Sequence, residues 1–319
     1  MTHQSGVTVG IDLGGTKVET AVVDDGGRVI ASRRHPTDPD SGYKAVIDAI
    51  MESVRGFVDA YPVRGVGVGV AGQIDTTNGI VRFAPNLKWY DIPLGPELNK
   101  ALGLPAIVIN DVQAAAWGEF SHGAGRGATD MVALFVGTGI GGGIVEGGRL
   151  LKGHAGAAGE LGHTTVVAGG RKCHCPNHGC LEAYAGGWAI ADRAREAIAE
   201  DPSAGRVLLS LAGSAENITA AMVSQAYHDA DPLSAQIIQE TGRYLAAGIV
   251  SIVNGLNPSI LILGGGIIEG TPELTGIIEP LVRASALPVA LEQLSISRAA
   301  LGNNAGVIGA AAIATSLGS

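Results

Sequence analysis

The feature that most constrains the fold is a pattern that occurs near the start of the chain and again near its middle. Each time, an apolar and β-branched run ends in a turn of glycine and threonine, and two further strand-like runs follow across short glycine turns. The first occurrence begins with the run 7–13 and the second with the run 131–136. The sequence therefore predicts a duplicated α/β plan in which ligands bind at strand ends facing a cleft between two halves.

The spacing of apolar residues predicts further elements in both halves. Strands are predicted over 17–24, 28–33, 65–71, 106–110, 142–146, 149–151 and 260–263. Helices are predicted from a cap at Asp40 or Ser41 to 58, and over 112–120, 187–200, 218–229, 233–255 and 305–317. The last helix is apolar nearly all round, with Asn303 or Asn304 as its cap, so we expect it to be buried.

Charge and length exclude several classes of protein. The chain has 21 Lys and Arg against 30 Asp and Glu and no basic run, so it lacks the cationic surface that nucleic-acid binding requires. No apolar run reaches the roughly 18 residues of a membrane helix, and the first residues do not resemble a signal peptide. We therefore expect the 319 residues to form two domains of a cytoplasmic protein without nucleic-acid or membrane partners.

The first glycine turn combines the groups that hold phosphate. Asp12 is followed by Gly14, Gly15, Thr16 and Lys17. Glycines let backbone N–H groups approach phosphate oxygens, the hydroxyl donates a hydrogen bond and the lysine adds charge. Asp12 cannot bind phosphate, but it can hold Mg²⁺ through water. An ordinary hairpin explains the two glycines alone equally well, whereas the whole set favours phosphate binding.

The second turn, 137–143, fits G-x-G-x-x-G, as does 67–72. A dinucleotide fingerprint must open a helix, but the residues after 143 are typical of a strand and hairpin, which disfavours a Rossmann dehydrogenase. P-loop and protein-kinase motifs are absent from the sequence. Gly137, Thr138 and Gly139 are therefore expected to clamp the phosphates from the second half. Gly265 and Gly266 follow a predicted strand. Two roles are equally supported for them: the chain passes beneath a nucleoside at this point, or the glycines allow a helix to pack closely on the strand.

A carboxylate at the end of a buried strand is the candidate catalytic base. Asp111 follows Asn110 at the end of the run 106–110 and precedes a predicted helix. Phosphoryl transfer to an alcohol needs a group that accepts the hydroxyl proton, and carboxylates do this in kinases. Aspartate is also a good N-cap, and without the other motifs the capping role would be favoured.

The cysteine cluster predicts a metal site. Cys173, Cys175 and Cys180 are an odd, closely spaced set, which favours a metal over disulfides. Tetrahedral zinc needs a fourth ligand, for which His163, His174 and His178 are candidates. His174 lies between two ligands and His178 close to a third, whereas His163 has the freedom to fold back. Three cysteines and a histidine leave no open position, so the zinc is expected to be structural.

Taken together, these motifs resemble the ROK family (repressors, open reading frames, kinases), and within it the bacterial glucokinases. They occur in the family's order over nearly the whole chain. The matching segments are 12–17, 84–86, Asn110-Asp111 with Ala114-Ala115 and Gly118-Glu119, 137–143, 160–163, 173–182 and 263–266. Pro176 departs from the family, which usually has glycine there. Because proline lacks an N–H, a hydrogen bond to a metal-bound sulfur is expected to be lost.

The resemblance implies an α/β, actin-like (ribonuclease H-like) sugar-kinase fold of two lobes. The small lobe would comprise 1–118 and 305–319, and the large lobe 119–304 with the zinc loop at about 163–182. Asp111 would be the general base, and His163 would bind both zinc and sugar. The implied sugar-binding set is Gly72, Asn86, Asn110, Asp111, Glu160, His163 and Glu182, and the implied nucleotide set is Asp12, Gly14, Gly15, Thr16, Lys17, Gly137, Thr138, Gly139, Gly265 and Gly266.

The expected activity is the phosphorylation of glucose at O6 by Mg²⁺-ATP, as in glycolysis, by a homodimer or homotetramer. An N-acetylhexosamine kinase of the same family is the closest alternative, and Glu160 favours glucose because some N-acetylmannosamine kinases lack it. Mannose as a second substrate and polyphosphate as donor remain open. A sugar-responsive repressor would carry an additional N-terminal helix-turn-helix segment, for which no room is expected before Asp12. A non-catalytic sugar-binding module is disfavoured by the complete motifs.

Overall fold

The computed structural model describes residues 6–315, so predictions that fall on 1–5 and 316–319 lie outside the described residues. The described chain divides into two compact units. The first comprises 6–129, 143–159 and 300–315, and the second comprises 130–142 and 160–299. The lobe limits stated above stay a prediction; the first unit additionally includes 119–129, 143–159 and 300–304.

The strands of the described part are β1 (Val7–Leu13), β2 (Lys17–Val23), β3 (Val29–Pro36), β4 (Val63–Val70), β5 (Gln73–Asp75), β6 (Ile80–Ala84), β7 (Trp89–Ile92), β8 (Ala106–Asn110), β9 (Met131–Val136), β10 (Ile140–Glu146), β11 (Arg149–Leu150), β12 (Ile260–Gly264) and β13 (Ser295–Arg298). They form two five-stranded sheets, in the orders β3-β2-β1-β4-β8 and β11-β10-β9-β12-β13, and a small sheet β5-β6-β7. The two larger sheets repeat one order, with β1 corresponding to β9 and β4 to β12. This confirms the duplicated plan.

The helices of the described part are α1 (Tyr43–Val58), α2 (Leu94–Leu102), α3 (Asp111–His122), α4 (Glu182–Ala185), α5 (Gly187–Glu200), α6 (Arg206–Ala212), α7 (Ala220–His228), α8 (Pro232–Leu256), α9 (Gly266–Gly270), α10 (Leu274–Ser285), α11 (Pro288–Leu291) and α12 (Ala305–Thr315). The predicted strands over 7–13, 106–110 and 131–136 and the predicted helix over 187–200 are confirmed with the same bounds. Among residues 6–315, no helix combines the length and apolar content needed to cross a bilayer.

The predicted cap of the first helix was wrong. Pro39 begins a short 3₁₀ helix, Pro39–Ser41, which Asp38 caps through its side chain. Gly42, at φ 86°, then redirects the chain into α1 without a side-chain cap, so neither Asp40 nor Ser41 caps that helix. At the other end of the chain, Asn303 and Asn304 belong to a 3₁₀ helix, Gly302–Asn304, that runs directly into α12, and the cap predicted there stays a prediction.

The last helix is buried, as its composition predicts, and its small residues allow unusually close packing. A Cβ atom on Gly309 would lie 1.7 Å from the carbonyl oxygen of Ala114, so α12 and α3 meet backbone to backbone. Glu119, fully buried on α3, accepts hydrogen bonds from the backbone N–H groups of Ala300 and Leu301 at 2.8–3.1 Å. These contacts fix α3, which begins with Asp111, against α12, the other helix that covers the first sheet.

Candidate active site

The first unit gathers one group of predicted site residues at a single edge of its sheet. Strands β1, β4 and β8 are parallel, and Leu13, Val70 and Asn110 are aligned across them. Parallel strands present their carboxyl ends at the same edge, and neighbours lie about 4.8 Å apart. The Gly14–Lys17 turn, Gly72 and Asn110-Asp111 therefore follow three adjacent strands at this edge.

The glycines of the first turn are required by space. The N–H of Gly14 donates to the carbonyl oxygen of Lys17 at 3.0 Å, which closes the turn. A Cβ atom on Gly15 would lie 2.6 Å from the Cβ atom of Asn86, so the turn packs closely on a predicted sugar-binding residue. Thr16 and Lys17 are exposed beside it. The structure thus brings the predicted phosphate turn and Asn86 together.

Asp12 lies in β1 just before that turn. Burial disfavours its charged form and raises the pKa of this carboxyl, with Lys17 opposing part of the effect. A Cβ atom on Gly306 would lie 3.0 Å from Oδ2 of Asp12, so the carboxylate lies against the first turn of α12. A partly buried carboxylate whose charge Lys17 offsets only in part is a suitable group to hold a hydrated cation.

The capping role at the end of β8 belongs to Asn110. Its side-chain oxygen accepts hydrogen bonds from the N–H groups of Val112 and Gln113 at 2.9 and 3.0 Å. Its amide nitrogen donates to the carbonyl oxygen of Gly72 at 3.2 Å, which leaves one N–H for a ligand. Asp111 is the first residue of α3 and is not the cap. The alternative explanation for Asp111, an N-cap, is therefore wrong.

The second unit gathers another group of predicted residues at the edge where β9 and β12 end. These strands are parallel, with Gly264 aligned to Phe135, so the turn of Gly137, Thr138 and Gly139 lies beside Gly265 and Gly266. Gly265 adopts φ 89°, and a Cβ atom there would lie 2.5 Å from the carbonyl oxygen of Val136. Close packing therefore explains Gly265, whereas Gly266 has open space beside it.

That open space belongs to a cavity of about 900 Å³. Gly137, Thr138 and Gly266, all predicted nucleotide-binding residues, line it. Most of its wall comes from α5 and α7 and the segment before α7, which the sequence analysis missed. The missed lining residues are Gly187, Trp188, Ala191, Arg195, Ile218, Thr219, Ala220, Ala221, Ser224, Gln225, His228, Asp229, Ile267 and Gly270. No local motif marks them, because helices distant in sequence bring them together.

Glu182 faces the second phosphate turn. Its Oε2 atom accepts a hydrogen bond from the N–H of Ile140 at 2.9 Å, and its Oε1 atom accepts one from the indole N–H of Trp188 at 3.3 Å. A Cβ atom on Gly139 would lie 2.4 Å from Oε2, so only glycine fits between the carboxylate and the turn. This predicted sugar-binding residue thus also holds the turn 137–139 in place.

The four predicted metal ligands are brought together. The donor atoms of His163, Cys173, Cys175 and Cys180 lie within 4.8 Å of one another. Nδ1 of His163 is 3.6 Å from Sγ of Cys173, and the sulfurs of Cys175 and Cys180 are 3.6 Å apart. Ligands of a tetrahedral zinc with bonds of about 2.3 Å to sulfur lie roughly 3.6–3.8 Å apart, so this set fits zinc.

The environment of the sulfurs also suits a cation. Burial raises the pKa of the Cys173 thiol to about 12, so at neutral pH a thiolate there needs a neighbouring positive charge. At Cys175 burial acts in the same direction, but the backbone N–H of Asn177 and bonds with the other thiols outweigh it and lower the pKa. The side chain of Asn177 also donates to Sγ of Cys180 at 3.4 Å. Asn177 thus supplies N–H groups in the segment where Pro176 has none.

His163 and Glu160 lie at the outer side of this cluster. Nε2 of His163 is 4.0 Å from Oε2 of Glu160, which is exposed. Both belong to the segment that packs on the start of β10, where a Cβ atom on Gly162 would lie 2.1 Å from the carbonyl oxygen of Ile140. One ring nitrogen therefore faces the cysteines and the other faces an acidic side chain.

Known proteins of similar sequence and structure place the chain in a family. The profile of the ROK family matches residues 8–316. Glucokinase of Streptomyces coelicolor is 36% identical over 315 residues, which cover 97% of this chain and 98% of that protein.

Solved structures extend this likeness to the fold. A ROK family glucokinase from Streptomyces griseus, solved with glucose and AMPPNP, is 36% identical with a TM-score of 0.83, and the match covers 98% of this chain and 100% of that one. A ROK family transcriptional regulator is 30% identical with a TM-score of 0.86, over 99% of this chain and 80% of that one. The expected actin-like sugar-kinase fold is confirmed, and the chain belongs to the ROK family.

Proposed function

We propose that the protein is a hexokinase-type phosphotransferase that transfers the γ-phosphoryl group of ATP to the 6-hydroxyl of glucose. The observation that carries this proposal is the position of Asp111. Asn110 satisfies the N–H groups at the start of α3. Asp111 is the first residue of α3 rather than its N-cap, and it lies at the sheet edge that also carries the Gly14–Lys17 turn. The likeness to glucokinases supports glucose as the acceptor.

Each group has a chemical role in this reaction. Asp111 accepts the proton of the attacking hydroxyl. The backbone N–H groups of Gly15 and Thr16 and the ammonium of Lys17 stabilise charge on the transferred phosphoryl group. Asp12 would hold Mg²⁺ through water, and the ion would neutralise charge that develops on the phosphates. On the second unit, Gly137, Thr138 and Gly139 bind phosphate and the cavity beside Gly266 takes the nucleoside.

The sugar would be held mainly by side chains that donate or accept several hydrogen bonds. Asn86, Asn110, Glu160, His163 and Glu182 are proposed for this role, with Gly72 providing close approach. The cysteines and His163 would hold a structural Zn²⁺, which orders the segment that carries Glu160 and His163. The metal takes no part in the chemical step.

Sugar specificity is tested by measuring ADP release from Mg²⁺-ATP with glucose, mannose, N-acetylglucosamine and N-acetylmannosamine in parallel. We expect turnover chiefly with glucose. Turnover chiefly with an N-acetylhexosamine would keep the fold, the base and the metal site but contradict the assignment of Glu160 to glucose. Replacing ATP by polyphosphate in the same assay identifies the donor.

A sugar-responsive regulator is the second candidate, because a ROK transcriptional regulator has a closely similar structure. Glucose binding without ADP release from any of the four sugars would favour it. We further propose a cytoplasmic homodimer or homotetramer that supplies glucose 6-phosphate to glycolysis. Light scattering coupled to size-exclusion chromatography measures the oligomeric state, and a monomer would contradict that part of the proposal.

A further inference from the structure

Trp188 contacts two parts of the second unit that have separate roles in the proposed function, the metal-binding loop and the nucleotide cavity. Its indole is stacked on the imidazole of His174, with ring centroids 4.0 Å apart and an angle of 23° between the planes. His174 lies between the metal-ligating Cys173 and Cys175, so its ring belongs to the metal-binding loop. Trp188 also lines the cavity proposed for the nucleotide.

Trp188 is fixed to the second phosphate turn as well. Its backbone N–H donates to the carbonyl oxygen of Thr138 at 3.1 Å. Its indole N–H donates to Oε1 of Glu182 at 3.3 Å, and Oε2 of the same carboxylate accepts from the N–H of Ile140. The tryptophan therefore contacts the metal-binding loop with one part of its surface and the phosphate turn through hydrogen bonds.

A metal at the cluster would restrain His174 from both sides. Its two chain neighbours, Cys173 and Cys175, are both in the ligand set, whereas the ring itself is exposed apart from its stacking on Trp188. With both ligands fixed, the backbone between them has little freedom, and the ring is held over the indole. Without the metal, the stacking loses this restraint, and the orientation of the indole at the cavity wall then depends on its hydrogen bond to Glu182.

We propose that Trp188 is a positioning residue for the nucleotide and that the metal-binding loop sets its orientation through His174. The inference rests on the proposed function, because it requires that the cavity bind the nucleotide. Metal at the cluster then raises affinity for the nucleotide as well as for the sugar. By linkage, the nucleotide raises the affinity for zinc by the same factor.

The test compares Mg²⁺-ADP binding by calorimetry to zinc-loaded wild-type protein, His174→Ala and His174→Phe. Loss of an aromatic pair is expected to weaken binding about 2- to 10-fold in His174→Ala. His174→Phe keeps a stacked ring and should bind like the wild type. His178→Ala is the matched control, because His178 is an exposed histidine of the same loop. Zinc content and glucose affinity should be retained in all three variants.

A metal-removal cycle separates coupling from general damage. Removing zinc from the wild type should weaken Mg²⁺-ADP binding by a factor close to that of His174→Ala. Removing zinc from His174→Ala should weaken Mg²⁺-ADP binding little further. The fluorescence difference between wild type and Trp188→Phe reports Trp188 alone. Because a stacked imidazole quenches indole, this signal should increase when zinc is removed and should not change with zinc in His174→Ala.

Two outcomes distinguish the inference from the function on which it rests. Equal Mg²⁺-ADP affinity of zinc-loaded wild type and His174→Ala would overturn the coupling and leave the kinase function intact. Absence of Mg²⁺-ADP binding to the folded, zinc-loaded wild type would overturn both. If His174→Ala loses zinc, the comparison is made with Trp188→Leu instead. An Mg²⁺-ADP affinity that still depends on zinc in Trp188→Leu would contradict the role of Trp188.

Discussion

Nδ1 of His163 lies 3.6 Å from Sγ of Cys173, while Nε2 of the same ring lies 4.0 Å from a carboxylate oxygen of Glu160. The imidazole thus spans the distance between the cysteine cluster and an exposed acidic side chain. A metal bound by Nδ1 fixes the ring and leaves Nε2 directed outwards, where it can bond a sugar hydroxyl. Under the proposed function, this arrangement would connect metal binding with sugar binding through one side chain.

Removal of zinc is therefore expected to weaken glucose binding by about 5- to 150-fold, the usual range of coupling between sites. Calorimetry of chelator-treated and zinc-reloaded protein measures the change. Cys175→Ser should reproduce the zinc-free state, whereas His178→Ala should bind one zinc and glucose normally. Full glucose affinity in zinc-free protein would contradict the structural role of the metal.

Asp111→Asn is expected to lower kcat by about 10²- to 10⁴-fold, since the amide cannot accept the hydroxyl proton. Zinc content and thermal unfolding should change little, because Asn110 caps α3. Asp59→Asn, at an exposed position after α1, is the control. Near-normal turnover of Asp111→Asn would remove this residue from the mechanism.

Asp12→Asn is expected to raise the unfolding temperature at pH 7 while lowering kcat about 10²-fold. Burial raises the folded-state pKa of Asp12, so its charged form costs stability at neutral pH. This cost disappears as the pH falls through the raised pKa, and the gain from asparagine should shrink with it.

Asp24→Asn is a control for which the opposite change in stability is expected. Bonds from the N–H groups of Arg28 and Gly26 lower the pKa of Asp24, so its charge stabilises the fold above its ordinary pKa. This variant should lower the unfolding temperature at pH 7, and the loss should disappear at acidic pH. Thermal unfolding of both variants between pH 3 and 8 measures the two trends. A change of the unfolding temperature in the same direction for both variants would contradict the argument.

Gly266→Leu is expected to raise KM for ATP about tenfold or more, because the new side chain would occupy the cavity that the nucleoside needs. No atom lies within 4 Å of a Cβ atom built there, so the fold should tolerate the change. Gly276→Leu, on the exposed surface of α10 and equally unobstructed, is the matched control. Unchanged KM for ATP in Gly266→Leu would place the nucleoside elsewhere.

The sequence predicted those features that depend on residues close together in the chain. The apolar run of β1 and the helix α5 have the predicted bounds, and the clustered cysteines predicted a group of residues that could hold a metal ion. The small sheet β5-β6-β7 was missed because its strands are short and partly polar. Its geometry also depends on Lys88 and Asp91, which adopt the left-handed conformation usually left to glycine.

Features made by distant segments could not be read from local patterns. The cavity wall joins Thr138 with residues of α5 and α7, and nothing in the sequence of α7 marks it as a lining helix. The two bonds that Glu182 accepts, from Ile140 and Trp188, likewise depend on tertiary packing. Gly265 shows the reverse case, because packing on Val136 explains a glycine that the motif alone left ambiguous.

The close contact between Gly309 and Ala114 has a consequence for synthesis on the ribosome. Strand β1 is made first, yet α12, which covers it and lies against Asp12, is made almost three hundred residues later. The first unit therefore cannot reach its native packing until residues 305–315 have emerged, whereas every segment of the second unit precedes them. Such distant pairing slows folding, so the second unit is expected to become protease-resistant first in a nascent chain.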